Sequence, residues 1–269
     1  MGYYYEEERR VREAIEKLII YSGQINDVYR LYEEVFGEND PDGSVQLAEE
    51  ISVFFESVKE NYKYDLLELD LDTLINKIDG HYRDDLLNVM RVIEIISTDD
   101  FEKLCALFLK EIVKCKSVNA TQRSHDQGID FVGCKEYVQW LTTEERNSNL
   151  LYVVGQAKHY NGQCVGTNEI RELAGAVYLL KANDFAIKKR HGSEKVIYSN
   201  LVINACTPIV PYFITSGYFS KYAYILCKNA SIIAVDRLSL ALNFIFSQMF
   251  RGKGQDDIRK EIQKIERIS

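Results

Sequence analysis

The sequence predicts two unlike parts: an all-helical segment over residues 1–97, then an α/β domain over 98–250 in which helices flank a mixed central sheet. An amphipathic helix over 251–269 closes the chain. Helical periodicity dominates the first part, whereas helix-like and strand-like stretches alternate through the second. The charge also changes sign. Residues 1–97 hold 23 acidic and 10 basic side chains, a balance of −13, while 98–269 hold 18 and 23, a balance of +5. With 46% hydrophobic and 28% charged residues in 269, the composition is that of a globular protein and excludes a disordered one.

In the first part, Val11, Ile15, Leu18 and Ile19 recur at helical spacing, as do Val28, Leu31, Tyr32 and Val35 before Gly37. Residues 38–43, with Pro41 and Gly43, are expected to form a turn. Further helices are predicted over 47–62 and 86–96. Tyr3, Tyr4 and Tyr5, with Tyr62 and Tyr64, form either a contact surface or ordinary half-buried aromatics.

The second part opens at Asp99, whose spacing to Glu102 is that of a capping box before the apolar stripe Phe101, Leu104, Cys105, Phe108 and Ile112. A helix over 99–113 is expected. Strand-like runs follow at 117–120, 128–133, 150–158, 201–206 and 232–235. Helices are predicted over 168–181, 220–228, 238–250 and 256–268, the last with Ile258, Ile262 and Ile265 on one face. On 168–181, Glu169, Glu172 and Ala176 are placed on an exposed face opposite Ile170, Leu173, Ala174 and Val177.

Several function classes drop out. No apolar run approaches the roughly 18 residues a membrane helix needs, and the opening residues lack the regions of a signal peptide, so a cytoplasmic protein without a membrane partner is expected. The six cysteines lie ten or more residues apart with no C-x-x-C pair, which points to reduced thiols and to neither zinc nor a disulfide framework. No phosphate-binding G-x-x-x-x-G-K-[ST] loop occurs.

Chemistry concentrates in two adjacent strand-like runs. Asp130 is an isolated carboxylate among apolar residues, and the run Leu151 to Lys158 ends in Gln156 and Lys158, two positions apart and hence on one face. Lys and Asp are rarely buried unless paired or bound to a metal, so these groups form either a structural Asp130–Lys158 ion pair or a functional site. Gln127 and His125 precede Asp130 in a polar loop, His159 and Tyr160 follow Lys158, and Lys188, Lys189, Arg190 and His191 form a basic cluster. That cluster is either a solvated loop or a phosphate-contact patch.

The order Phe101-Glu102 on a helix, Gly128-Ile129-Asp130, Gln156-Ala157-Lys158, then Ile170-Arg171-Glu172-Leu173-Ala174-Gly175 resembles the Mrr-like branch of the PD-(D/E)xK nucleases. In that branch glutamine replaces the acidic residue of the D/E-x-K element. The later stretch Thr215-Ser216-Gly217-Tyr218-Phe219-Ser220 with Ala223, and Ile232 to Arg237 leading into Leu240, is similar to the end of the same catalytic domain. The resemblance spans roughly 98–250 and leaves 1–97 aside.

It implies a restriction-endonuclease-like fold and hydrolysis of DNA phosphodiester bonds with Mg²⁺, or Mn²⁺ in its place, in the restriction of foreign DNA. It also implies a catalytic set of Asp130, Gln156, Lys158 and Glu102, with Asp130, Gln156 and the Ala157 carbonyl as metal ligands. Such a set suits an ion that prefers hard oxygens. Glu102 stays open between this role and the capping box. Gln127, His159, Lys188, Lys189 and Arg190 are the candidate DNA contacts. Cutting both strands calls for a homodimer or higher oligomer, with 1–97 serving recognition, regulation, oligomerisation or a regulatory protein partner. A non-catalytic DNA-binding or assembly subunit, and a nuclease for branched DNA or RNA, are the alternatives, since fold similarity does not choose a substrate.

Overall fold

The computed structural model describes residues 7–21, 27–62, 67–68, 77–78, 80–120, 128–136, 150–160, 163–182, 203 and 207–265. The chain forms two compact units, one of Met1–Arg91 with Ala241–Gln255 and the other of Val92–Leu240 with Asp256–Ser269.

The first unit is built on α1 (Glu7–Ile20), α2 (Val28–Phe36), α3 (Pro41–Tyr62) and most of α4 (Gly80–Ile95). Their apolar stripes meet in a core that includes Ile15, Leu18, Ile19, Leu31, Ile51 and Leu86. Asp27 caps α2 by accepting from the Tyr29 N–H, and Gly37 ends it in the left-handed conformation with φ 75°. The turn expected over 38–43 is shorter than that. Pro41 is the first residue of α3, where its missing N–H costs nothing, and Asp40 accepts from the Asp42 N–H at 3.1 Å. Gly43 therefore lies inside a helix, at a contact so close that a Cβ there would stand 2.4 Å from the Tyr32 hydroxyl. Arg83 of α4 donates from Nε and Nη2 to the carbonyls of Ile19 and Ile20 at 2.9 Å each, closing the end of α1. One departure from the all-helical expectation is a short antiparallel pair, β1 (Leu67–Glu68) with β2 (Lys77–Ile78).

The second unit is a mixed α/β layer structure, as the sequence predicts. Its five-stranded sheet runs β3 (Ser117–Ala120), β4 (Phe131–Glu136), β5 (Leu150–Lys158), β7 (Ile209–Thr215), β9 (Ile233–Val235). β3, β4 and β5 are antiparallel, whereas β5, β7 and β9 are parallel. A two-residue strand, β6 (Cys164–Val165), pairs in parallel with β8 (Tyr218–Phe219). Helix α5 (Thr98–Glu111) packs on one face of the sheet, burying Phe101, Leu104, Cys105 and Phe108. On the other face α6 (Thr167–Lys181) and α7 (Lys221–Asn229) cover a cluster that includes Val132, Tyr152, Val154, Leu173, Phe213 and Ala223. Side chains alternate along β5 between these layers. Each large side chain buried here contributes about 1.5–3 kcal/mol relative to exposure.

Several predicted elements shift. The strand expected over 201–206 falls, except for Ile203, outside the described residues; the strand that pairs with β5 is Ile209–Thr215. Pro208 and Pro211 hid it. β9 pairs only with Tyr212–Ile214, so β7 is open on that side at Pro211, a position a proline tolerates. Ala176 is buried at 4%, not exposed with Glu172, because it faces the sheet. The helix expected over 238–250 is α8 (Arg237–Phe246), and that expected over 256–268 is α9 (Gln255–Gln263). The five described cysteines, Cys105, Cys115, Cys134, Cys164 and Cys227, are free thiols. Among the described residues no helix is long and apolar enough to cross a membrane.

Candidate active site

The site is built where β4 begins and β5 ends. Gly128 turns the chain with φ +87°, a conformation that L side chains rarely adopt, and delivers Ile129 into the core and Asp130 to the head of β4. The antiparallel ladder starts one residue later at Phe131↔Gly155, so Asp130 stands just beyond it, beside the end of β5. Two contacts fix it there. Its N–H donates to the Gly155 carbonyl at 2.8 Å, and its Oδ2 accepts from the Ala157 N–H at 2.7 Å.

Gly155 is required by this crossing. A Cβ on it would lie 2.1 Å from the Phe131 ring and 2.7 Å from the Tyr212 carbonyl oxygen. The period of two then sets Gln156 and Lys158 on the face of Tyr152 and Val154. Gln156 is 3% exposed, and its Oε1 is buried without a hydrogen-bond partner. A buried amide oxygen left so costs about 1–3 kcal/mol, which marks it as an acceptor held for something else. Lys158, half-buried, ends the strand.

Glu102 does not belong to a capping box. The N-cap of α5 is Ser97, whose Oγ accepts from the Asp100 N–H at 3.1 Å, so Asp99 already lies in the first turn and Glu102 in the second. There it is 6% exposed. Its neighbour one turn on, Cys105, reports the local field: burial pushes the thiol well up, and the negative charges of Asp130 and then Glu102 push it further. Both carboxylates therefore act on one buried thiol.

The oxygen donors suit a hard divalent ion. In a strand the N–H and C=O of one residue face the same neighbour, so the Ala157 carbonyl turns the way its amide does, toward Asp130. A carboxylate, a main-chain carbonyl and an unpartnered amide oxygen all lie near the β4–β5 junction, and oxygen is the donor type that Mg²⁺ prefers. Among the described residues no group of three or more His, Cys, Asp or Glu side chains could hold a metal.

The expected DNA contacts fare differently. Gln127, Lys188, Lys189 and Arg190, with His125 and His191, lie outside the described residues, as do Tyr3, Tyr4, Tyr5 and Tyr64. His159 is half-buried, with its Nε2 2.9 Å from the Ile93 carbonyl and its ring 5.2 Å from that of Phe101. Sequence reading assigned no role to Thr215 or Ser216, and placed Tyr160 only as a candidate contact to the DNA backbone beside His159. Tyr160 donates from its hydroxyl to Glu169 Oε1 at 3.0 Å, and burial followed by that bond pushes its hydroxyl up to about 12. Thr215 and Ser216 are buried polar residues at 0% and 3% exposure beside Lys158. The signal for them was two hydroxyls ending an apolar strand.

The family model Mrr_cat, described as a restriction endonuclease, matches residues 93–188, which include Glu102, Asp130, Gln156 and Lys158. No curated protein matches the chain. Among solved structures, the MspJI restriction endonuclease in complex with a 27-mer oligonucleotide is 12% identical with a TM-score of 0.42, over 74% of this chain and 43% of that one. The DNA modification-dependent restriction endonuclease AspBHI is 12% identical with a TM-score of 0.45, over 71% and 46%. This chain therefore spans less than half the length of either. Residues 93–188 are thus similar to the Mrr_cat restriction endonuclease family, a match that leaves the rest of the chain outside it.

Proposed function

We propose that the protein is a divalent-metal-dependent DNA endonuclease that uses Mg²⁺, or Mn²⁺ in its place, and restricts foreign DNA. The observation that carries this reading is the buried, unpartnered Gln156 Oε1, next to the Ala157 amide that binds Asp130 and two residues before Lys158. Asp130, Gln156 and the Ala157 carbonyl would hold the ion, with Glu102 adding negative charge from α5. When bound, the ion supplies Lewis-acid stabilisation of the scissile phosphate and lowers the pKa of a bound water.

The chain's own groups do the rest. The Ala157 amide fixes the rotamer of Asp130 through its 2.7 Å bond, so the carboxylate is oriented before any ligand arrives. Lys158 Nζ orients the attacking water and faces the charge that develops on the phosphate, a contribution of about 10²–10⁴-fold in rate. A glutamine oxygen is neutral, so this set carries one negative charge fewer than one with two carboxylates. Ion binding is accordingly expected to tighten when the phosphate of bound DNA adds its own charge.

The remaining assignments belong to the same proposal. Two active sites are needed to cut both strands, which calls for a homodimer or higher oligomer. The acidic segment 1–97 serves regulation or oligomerisation, 98–250 serves cleavage, and Lys188, Lys189 and Arg190 contact the phosphate backbone. Incubation of methylated and unmethylated plasmid with the full chain and Mg²⁺, beside Lys158→Ala, tests the reading. Cleavage by the wild type alone supports it, and a difference between the plasmids identifies the DNA targeted. Binding of DNA without cleavage by either protein would favour a non-catalytic subunit.

A further inference from the structure

We infer that Thr215 and Ser216 are positioning residues for Lys158: their buried hydroxyls hold the main chain on both sides of His159 and so fix where the Lys158 ammonium points. The inference deepens the nuclease reading and rests on it for the role of Lys158.

The parallel ladder between β5 and β7 ends at Lys158↔Thr215. Past that point a strand runs out of partners and its main-chain groups must find others or fray. Here side chains replace the ladder. The Lys158 carbonyl accepts from the Ser216 N–H at 3.1 Å, as a continuing ladder would provide, and from the Thr215 hydroxyl at 3.0 Å. Thr215 Oγ1 in turn accepts from the Gly217 N–H at 3.1 Å, which fixes the hydroxyl's direction. Two residues on, Ser216 Oγ accepts from the Tyr160 N–H at 2.8 Å and donates to the Tyr160 carbonyl at 3.2 Å. One hydroxyl thus holds the peptide after Lys158 and the other holds both main-chain groups of Tyr160.

Packing alone does not explain these residues. Valine and alanine would fill the same buried space without the desolvation cost that a hydroxyl carries unless it is bonded. Gly217 keeps the turn in the required path, since a Cβ there would stand 2.4 Å from the Gln163 carbonyl oxygen. The segment's far end is anchored by the Tyr160 hydroxyl on Glu169, in the first turn of α6. Lys158 is therefore carried on a main chain fixed at both flanks, beyond the point where the sheet itself would hold it.

The test uses the full chain with Thr215→Val, Ser216→Ala and the conservative Thr215→Ser. Lysines are dimethylated with a ¹³C label, and the Lys158 NMR signal is identified by its loss in Lys158→Arg. Thr215→Val and Ser216→Ala are expected to shift or broaden that signal, and Thr215→Ser to leave it near wild type. In plasmid cleavage the first two should lower kcat by about 10²-fold with KM little changed, the cost of a displaced catalytic group. A folded Thr215→Val or Ser216→Ala with an unchanged Lys158 signal overturns the inference. Should Thr215→Val not fold, Ser216→Ala carries the same expectation. A wild type that cuts no DNA counts against the nuclease reading, and the Lys158 signal still decides the positioning claim.

Discussion

Replacing Gln156 by methionine separates stability from function at the candidate site. Methionine matches glutamine in length and brings no oxygen, so Gln156→Met removes the buried Oε1 that has no partner. Relief of an unsatisfied buried acceptor is worth about 1–3 kcal/mol, offset in part by the different shape of the thioether in the space of the amide. The net expectation is a metal-free protein more stable by about 1 kcal/mol, a rise of about 2–4 °C in Tm for a domain of this size. With divalent metal the order reverses. At about 100 times its dissociation constant, a bound ion adds about 2.7 kcal/mol to the wild type, and the variant should gain much less. Thermal unfolding of both proteins in EDTA and in Mg²⁺ measures all four values. A variant less stable than wild type in EDTA and equally stabilised by Mg²⁺ would refute the reasoning, because the amide would then be serving the fold and not an ion.

Other consequences concern the scaffold. Gly155→Ala should destabilise the domain by about 1–3 kcal/mol, since its Cβ meets the fully buried Phe131 ring and a main-chain oxygen in strand contact, and denaturant unfolding measures the loss. Burial pushes the Cys115 thiol to about 11 and that of Cys227 to about 12 from an ordinary 9.0. The folded protein thus keeps protons that the unfolded chain releases, and stability should be complete below about pH 8.5 and fall as pH rises toward 11 to 12, as urea midpoints across that range would show. Deletion of residues 1–97 should give an insoluble fragment, because Ala241–Gln255 would lose the Tyr82 ring 5.8 Å from that of Phe246 and the Asp85 carboxylate that accepts from Gly252 N–H at 3.0 Å. Soluble expression of residues 98–269 with unchanged activity would contradict this.

What the sequence revealed and what it hid have physical reasons. β5 and its polar end were legible because nine residues of apolar strand terminate in Gln156 and Lys158, types that rarely enter such a run without cause. Asp130 stood out for the same reason. β7 was hidden because Pro208 and Pro211 interrupt it, and only the pairing with β9, which starts at Tyr212, shows why a proline fits. The capping box at Asp99 was a plausible local signal overruled by Ser97 two residues earlier, and that shift moves Glu102 from a helix end to a buried position. The roles of Thr215 and Ser216 depend on contacts 56 or 57 residues away in the chain, which no local pattern encodes. The return of Ala241–Gln255 to the first unit is likewise a long-range fact, whereas the charge contrast divides the chain only in sequence order.

The most direct measurement is cleavage of closed-circular plasmid across a Mg²⁺ titration by the wild type, Asp130→Asn and Lys158→Ala. Both variants should lose about 10²–10⁴-fold in rate, with the Asp130 variant regaining part of it as Mg²⁺ rises and the Lys158 variant regaining none. Cleavage by either variant at the wild-type rate and metal dependence would contradict a centre built from Asp130, Gln156 and Lys158.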